Sequence, residues 1–253
     1  MHGLAGRIQA RRRRVRALAI AGACLLAGMP AHAPAQPSAQ DTQPAAESPD
    51  VAAGRLIAER GVQAGHVGCA ACHMMNGAGQ PDMAIPRLAG AAPAYLQQQL
   101  SFFAAGKRTS FWMTPFARAL TPQQMRAVAA YYAAQSAPVE ADAEALVPVP
   151  AGRHARGQTV FETGGGGAGV MPCAGCHGPA GQGMGPFPPL AGQSAPYVLG
   201  QLRRWKRGSD RDPMGKIMVM EVRGMNDADM QAVAAFVQSL SGNGPGSGSG
   251  NAQ

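Results

Sequence analysis

Two short motifs in this sequence carry residue types that can do chemistry. The first is Cys-Ala-Ala-Cys-His at residues 69–73, and the second is Cys-Ala-Gly-Cys-His at residues 173–177. Two thiols at this spacing can add to the two vinyl groups of a haem, and the histidine that follows can bind its iron. The pattern therefore predicts two covalently attached haem c groups. The residues that would hold them are Cys69, Cys72 and His73 in the first motif and Cys173, Cys176 and His177 in the second.

A Cys-x-x-Cys pair has other uses. It forms half of many zinc sites, and it is the redox pair of thioredoxin-like proteins. The histidine that follows both pairs, the small residues between the cysteines and the signs of export described below favour haem over these alternatives.

The basic charge of the chain is concentrated at its start. The formal net charge is +8, from 22 basic and 14 acidic residues. Six of the basic residues, all arginines, fall within the first 16 positions, where there is no acidic residue. Without them 16 basic and 14 acidic residues remain, a net charge of +2. This distribution gives no support to a nucleic-acid partner.

These arginines instead introduce a predicted signal peptide at residues 1–33. An apolar run at residues 17–29 follows them, and Ala-His-Ala at residues 31–33 is a small-x-small cleavage site. Cleavage near Ala33 or Ala35 would place the mature protein in the periplasm. A twin-arginine signal within residues 11–14 and a lipid anchor on Cys24 are the less favoured alternatives.

Cleavage would also account for the five cysteines. Removal of Cys24 leaves four, and the two haem motifs use all of them. The apolar run is shorter than the roughly 20 residues that span a membrane, so no membrane span is expected after cleavage.

The rest of the chain contains one unit twice. Pro-Arg-Leu-Ala-Gly at residues 86–90 returns as Pro-Pro-Leu-Ala-Gly at residues 188–192, and a capped helix start at Thr121 returns at Asn226. A short helix is expected at residues 54–59. The predicted organisation is a flexible leader at 34–50, a first domain at 51–136, a linker at 137–152, a second domain at 153–240 and a disordered tail at 241–253.

The repeat also selects two of the fourteen methionines as iron ligands. Met113 and Met218 occupy equivalent positions before the last helix of each repeat, 40 and 41 residues after the haem histidine. A methionine is ordinarily a filler of apolar cores, but two at matched positions in haem-bearing repeats favour iron ligands. Met214 and Met220 remain alternatives to Met218.

Taken together, the two haem motifs, the repeated Pro-x-Leu-Ala-Gly segments and the late methionines resemble the dihaem class I cytochromes c, most closely the cytochrome c4 family. The resemblance implies an all-α fold of two tandem domains, each a small helical globule around one haem. It also implies that the Pro86 and Pro188 carbonyls accept hydrogen bonds from His73 and His177. Glycines 54 and 157 would allow the first and last helices of each domain to cross closely.

With histidine and methionine on opposite faces, an iron has no open position for a substrate, so we expect electron transfer and not catalysis. The alternatives are a dihaem peroxidase, a sulfur-compound-oxidising cytochrome, or the electron-accepting subunit of a dehydrogenase. The resemblance implies a quinol-oxidising complex as donor and a terminal oxidase as acceptor. A basic cluster could attract an acidic redox partner. Its members are Arg203, Arg204, Lys206, Arg207 and Arg211.

Overall fold

A computed structural model of the chain describes residues 48–62, 67–136, 151–165, 169–209 and 214–241. The predicted signal peptide, nearly all of the leader, the linker up to residue 150 and the tail beyond residue 241 lie outside these ranges. The described residues belong to one compact unit.

The described residues fold into α-helices joined by turns, which confirms the predicted all-α class. The first repeat contains α1 (Pro49–Arg60), α2 (Ala70–His73), α3 (Pro93–Ala104), α4 (Met113–Arg118) and α5 (Pro122–Ala133). The second contains α6 (Ala151–Thr163), α7 (Cys173–His177), α8 (Ala195–Lys206), α9 (Gly215–Glu221) and α10 (Asp227–Ser239). Short 3₁₀ turns occur at Pro81–Met83 and Val222–Gly224. Within the described ranges, β pairing is limited to isolated bridges.

The first helix is longer than the stretch expected at residues 54–59. It begins at Pro49 because Ser48 caps it: the Ser48 hydroxyl accepts a hydrogen bond from the Val51 amide at 3.4 Å. Proline at the first helical position suits this start, since its missing N–H would have no partner there.

The last helix of each repeat begins with a side-chain cap, but the two helices differ in how the third helical residue is used. In α5 the Thr121 hydroxyl accepts from the Gln124 amide at 3.2 Å, and the Gln124 side chain accepts from the Thr121 amide at 2.8 Å. In α10 the Asn226 side chain accepts from the Asp229 amide at 2.9 Å. The Asp229 carboxylate then pairs with Arg156 on α6. The third residue of each helix thus has a different role: the Gln124 side chain bonds to the backbone of its own helix, whereas the Asp229 side chain joins α10 to α6.

The first and last helices of each repeat pack directly against each other, α1 on α5 and α6 on α10. A Cβ atom on Gly54 would overlap the Ala127 carbonyl and lie 2.7 Å from the Tyr131 Cβ. A Cβ atom on Gly157 would overlap the Ala232 carbonyl in the same way. The two glycines thus permit the close crossings that the family resemblance implies.

Two apolar clusters fill the repeats, one in each. The first contains Ala58, Ala91, Leu96, Val128, Ala129, Tyr131 and Tyr132. The second contains Val160, Phe161, Val198, Leu202, Val222, Met225, Met230, Val233, Ala234, Phe236 and Val237. The short helices α2 and α7, which carry the haem motifs, lie beside α1 and α6 respectively. Each candidate haem site is therefore built against its own core.

The two repeats contact each other near the start of α8. The Arg108 guanidinium donates to the Tyr197 hydroxyl at 2.9 Å and to the Gln99 side chain at 2.6 Å. Its centre lies 4.4 Å from the Phe103 ring centroid. The Gln193 side chain contacts the backbone of Arg87.

Candidate haem sites

Each Cys-x-x-Cys-His motif forms a single helical turn. The His73 amide donates to the Cys69 carbonyl at 2.9 Å, which closes the turn of α2. In the second domain α7 begins at Cys173 and ends at His177. A helical turn brings the two thiols and the imidazole of a motif to neighbouring positions, as attachment of one haem requires.

The first thiol of each motif is partly buried. Burial raises the pKa of the Cys69 thiol to about 11, and burial likewise raises that of Cys173 to about 11. Redox-active Cys-x-x-Cys pairs show the opposite behaviour, since their nucleophilic thiol has a lowered pKa. The thioredoxin-like alternative therefore lacks its electrostatic signature in both motifs.

Both motif histidines are buried and held by a backbone carbonyl. The Nδ1 of His73 donates to the Pro86 carbonyl at 3.0 Å, and the Nδ1 of His177 donates to the Pro188 carbonyl at 2.7 Å. A carbonyl can only accept, so these bonds place the proton on Nδ1 and leave the Nε2 lone pair for a metal. Burial also lowers the pKa of both imidazoles, which favours the neutral form that binds iron.

The loops that follow the histidines have the same backbone pattern in both domains. The Gly79 amide donates to the His73 carbonyl at 3.1 Å, and the Gly183 amide donates to the His177 carbonyl at 2.8 Å. These bonds fold each loop back on its motif. They bring the proline carbonyl, 13 residues after His73 in the first domain and 11 after His177 in the second, to its histidine.

Tyr132 is a feature of the first site that sequence reasoning did not single out. Its side chain is only 2% exposed, and its hydroxyl forms no hydrogen bond to another described residue. Burial raises the pKa of Tyr132, with a further contribution from the nearby Cys69. A buried hydroxyl ordinarily has a hydrogen-bond partner, so this unpartnered hydroxyl close to Cys69 indicates room for a bound group beside the first motif. Tyr132 thus fits a haem-lined pocket. The one sequence signal is that Tyr132 falls at helical spacing with Met125, Val128 and Ala129, which form the apolar side of α5.

The candidate methionine ligands lie in corresponding segments but at different places in their helices. Met113 is the first residue of α4, where its amide donates to the Ser110 hydroxyl at 3.1 Å. Met218 lies within α9 and packs against the apolar cluster of the second domain. Met220, in contrast, is 60% exposed. Of these two residues of α9, Met218 is the one directed toward the interior.

The predicted basic cluster on α8 separates into residues with different contacts. Arg203 pairs with Asp227 at 2.8 Å. Lys206 donates to the carbonyls of Arg223 and Met225. Arg204 instead lines an open groove with Phe111 of the first domain, which is 85% exposed. Arg211 lies outside the described residues.

Among the described residues, no helix has both the length and the apolar character needed to cross a membrane.

The cytochrome c family model matches the chain over residues 58–134 and 154–241. The chain is 37% identical over 186 residues to a thiosulfate dehydrogenase electron acceptor of Stutzerimonas stutzeri, covering 72% of this chain and 83% of that protein. It is 34% identical over 175 residues to cytochrome c4 of Pseudomonas aeruginosa, covering 68% of this chain and 83% of that protein.

Solved structures give the same result. Reduced cytochrome c4 from Pseudomonas stutzeri matches with a TM-score of 0.59 and 29% identity, over 68% of this chain and 93% of that one. A thiosulfate dehydrogenase (TsdBA) from Marichromatium purpuratum matches with a TM-score of 0.62 and 38% identity. The match covers 74% of this chain but only 40% of that longer one. These matches show that the chain belongs to the cytochrome c family, as a dihaem electron-transfer protein of the cytochrome c4 type.

Proposed function

We propose that this protein is a periplasmic electron carrier whose two irons are each bound by one histidine and one methionine. The ligands are His73 with Met113 in the first domain and His177 with Met218 in the second. The observation that carries the proposal is the matched pair of buried histidines, each donating through Nδ1 to a proline carbonyl. That arrangement fixes the ring and leaves Nε2 for the iron in both domains.

Ligation by histidine and methionine favours electron transfer over catalysis. When bound, the haems supply reversible one-electron iron chemistry. The protein contributes two neutral imidazoles and two thioethers, and these ligands would neither gain nor lose a proton when the iron changes its oxidation state. A haem iron held by His73 and Met113, or by His177 and Met218, would have no position left for peroxide or a sulfur substrate. The chain is therefore proposed to act without being an enzyme.

A sulfur-compound dehydrogenase is the donor best supported by the relatives. Thiosulfate dehydrogenase electron acceptors match this chain at 37% and 38% identity. In the TsdBA structure the matching part occupies 40% of a longer chain, so a module related to this protein is covalently joined to further sequence. We therefore propose that the protein accepts electrons from a thiosulfate dehydrogenase and passes them to a terminal oxidase.

A second candidate route is the one implied by cytochrome c4, with a quinol-oxidising complex as donor. It is favoured by the relatives named cytochrome c4, at 34% and 36% identity. Both routes use the same haem chemistry in the same compartment, and they differ only in the protein that docks.

Rapid mixing of the oxidised protein with each donor would separate the routes. We expect thiosulfate and its dehydrogenase to reduce both haems within the turnover time of that enzyme, whereas thiosulfate alone should reduce neither. Faster reduction by a quinol-oxidising complex, with no reaction at the dehydrogenase, would favour the second route. Peroxidase or thiosulfate-oxidising activity of the isolated protein, together with a high-spin haem signal, would contradict the proposed ligation.

A further inference from the structure

The Gln193 side chain of the second domain is hydrogen-bonded to the backbone of Arg87 in the first. Its Oε1 accepts from the Arg87 amide at 2.9 Å, and its Nε2 donates to the Arg87 carbonyl at 3.0 Å. The same Oε1 accepts from the Ser194 amide at 3.1 Å, which fixes the carboxamide beside the start of α8. The carboxamide is therefore held at both ends in a single orientation.

The amide of Arg87 and the carbonyl of Pro86 belong to one peptide group. The carbonyl end accepts from His73 Nδ1 at 3.0 Å, and the N–H end donates to Gln193. The peptide is a resonance-coupled unit, so an acceptor on its N–H makes its carbonyl a stronger acceptor. The Gln193 carboxamide consequently strengthens the hydrogen bond on the histidine of the other domain.

In the second domain both parts of this arrangement are missing, the N–H group and the carboxamide that accepts from it. The Pro188 carbonyl accepts from His177, but the next residue is Pro189, which has no N–H. The first-domain residue at the position of Gln193 is Ala91, which has no carboxamide. The backbone register confirms this equivalence, since Ala91 donates to Leu88 and Gln193 donates to Leu190. Both histidines thus donate to a proline carbonyl, but only the peptide group that accepts from His73 has a hydrogen bond on its N–H.

We propose that Gln193 is a positioning residue that acts on His73 through this peptide group and lowers the redox potential of the first haem relative to the second. The inference rests on the proposed axial ligation by His73. A stronger hydrogen bond at Nδ1 makes the imidazole a better electron donor, which stabilises the oxidised iron. Gln193 then favours the state in which the first iron has given one electron to the second.

Potentiometry of the full-length dihaem protein would test this, with the first haem identified by the spectral change in Met113→Leu. We expect Gln193→Leu to raise the potential of the first haem. The equilibrium constant for electron exchange between the haems should change about two- to fivefold, and a tenfold change would correspond to about 59 mV.

A matched pair at Arg87 isolates the N–H itself. Arg87→Ala removes the side-chain charge and retains the N–H, whereas Arg87→Pro removes both and reproduces the second domain. We expect the first haem to have a higher potential in Arg87→Pro than in Arg87→Ala, and Gln193→Leu to add nothing in the Arg87→Pro background. The potential of the second haem should stay constant throughout, and it reports on folding.

An unchanged first potential in Gln193→Leu, or an equal shift of both haems, would overturn the inference. Failure of the proposed ligation would look different, because the wild-type protein would then lack the low-spin His/Met spectrum.

Discussion

The Nε of Arg156 lies 2.7 Å from the Oδ1 of Asp229, and this ion pair joins the first helix of the second domain to its last. Asp229 is 2% exposed, so the pair neutralises a carboxylate that has little access to water. The Arg156 side chain is 47% exposed, and removing it would leave the buried Asp229 carboxylate without its charged partner.

We therefore expect Arg156→Gln to destabilise the second domain by about 1–3 kcal/mol. Denaturant unfolding monitored by circular dichroism and by the Soret band would measure it. Arg153→Gln removes an exposed charge from the same helix and should change the free energy of unfolding by less than about 0.5 kcal/mol. Equal effects of the two variants would show that the Asp229 contact contributes nothing.

The crossing of α1 and α5 should not tolerate a methyl group. In Gly54→Ala the new Cβ would overlap the Ala127 carbonyl, and displacement of a helix backbone costs about 1–3 kcal/mol or more. This outweighs the gain of about 0.5–1 kcal/mol from replacing a helical glycine. Gly200→Ala is the control, because its Cβ would meet no atom within 4 Å, and that variant should be slightly stabilised. Thermal unfolding of both variants checks the opposite signs.

Replacing methionines in α9 should separate the ligand from its neighbour. Met218→Leu conserves volume but removes the thioether, so half of the near-infrared His/Met absorption should disappear and the potential of the second haem should fall. Met220 is exposed, and we expect Met220→Leu to leave both properties unchanged. The reverse result would assign Met220 as the ligand.

Asp227, the first residue of α10, makes a pH-dependent contribution to the stability of the second domain. Hydrogen bonds from Arg203 and Gln231 hold its pKa below the usual range. The native state therefore binds fewer protons than the unfolded state between the two pKa values. The stabilisation is complete above the ordinary aspartate pKa of about 3.9 and is lost as the pH falls through the lower folded value. The difference in Tm between wild type and Asp227→Asn should be constant from pH 5 to 8 and vanish only in stronger acid.

Charge reversal at Arg204 should slow reduction by an acidic partner. This residue shares a groove with exposed Phe111, whereas Arg203 and Lys206 are engaged within their own domain. Arg204→Glu should lower the association rate about tenfold at low salt, with the difference disappearing at high salt. Arg126→Glu on α5 changes net charge equally and is the control. The spectra of both haems should be unaffected in each variant.

Much of the site could be predicted because it depends on local sequence. The haem motifs and the capped helix at Thr121 each follow from residue type and spacing, whereas the glycines at the helix crossings followed from family resemblance. The hydrogen bonds to Pro86 and Pro188 followed from family resemblance, and the geometry confirms them. The axial methionines and the domain boundaries stay predictions.

The features that sequence reasoning missed depend on contacts between distant segments. Gln193 approaches Arg87 from 106 residues away, and Arg156 approaches Asp229 from 73. A run of basic residues on α8 also gave no sign that Arg203 and Lys206 are occupied by contacts near the start of α10. Such pairings arise only when helices from separate parts of the chain are brought together.

The hydrogen bonds between the two domains are too few to hold the domains together without the covalent chain. The bonds between Gln193 and the Arg87 backbone are neutral hydrogen bonds that each contribute about 0.5–1.5 kcal/mol, and the bond from the Arg108 guanidinium to Tyr197 contributes about 1.5–3 kcal/mol. Micromolar association of two free molecules requires about 8 kcal/mol, so these bonds alone would not hold separate halves in a complex. Covalent continuity makes the contact intramolecular, at an effective concentration near the millimolar range for a short linker. The covalent continuity of the chain therefore keeps these weak contacts closed.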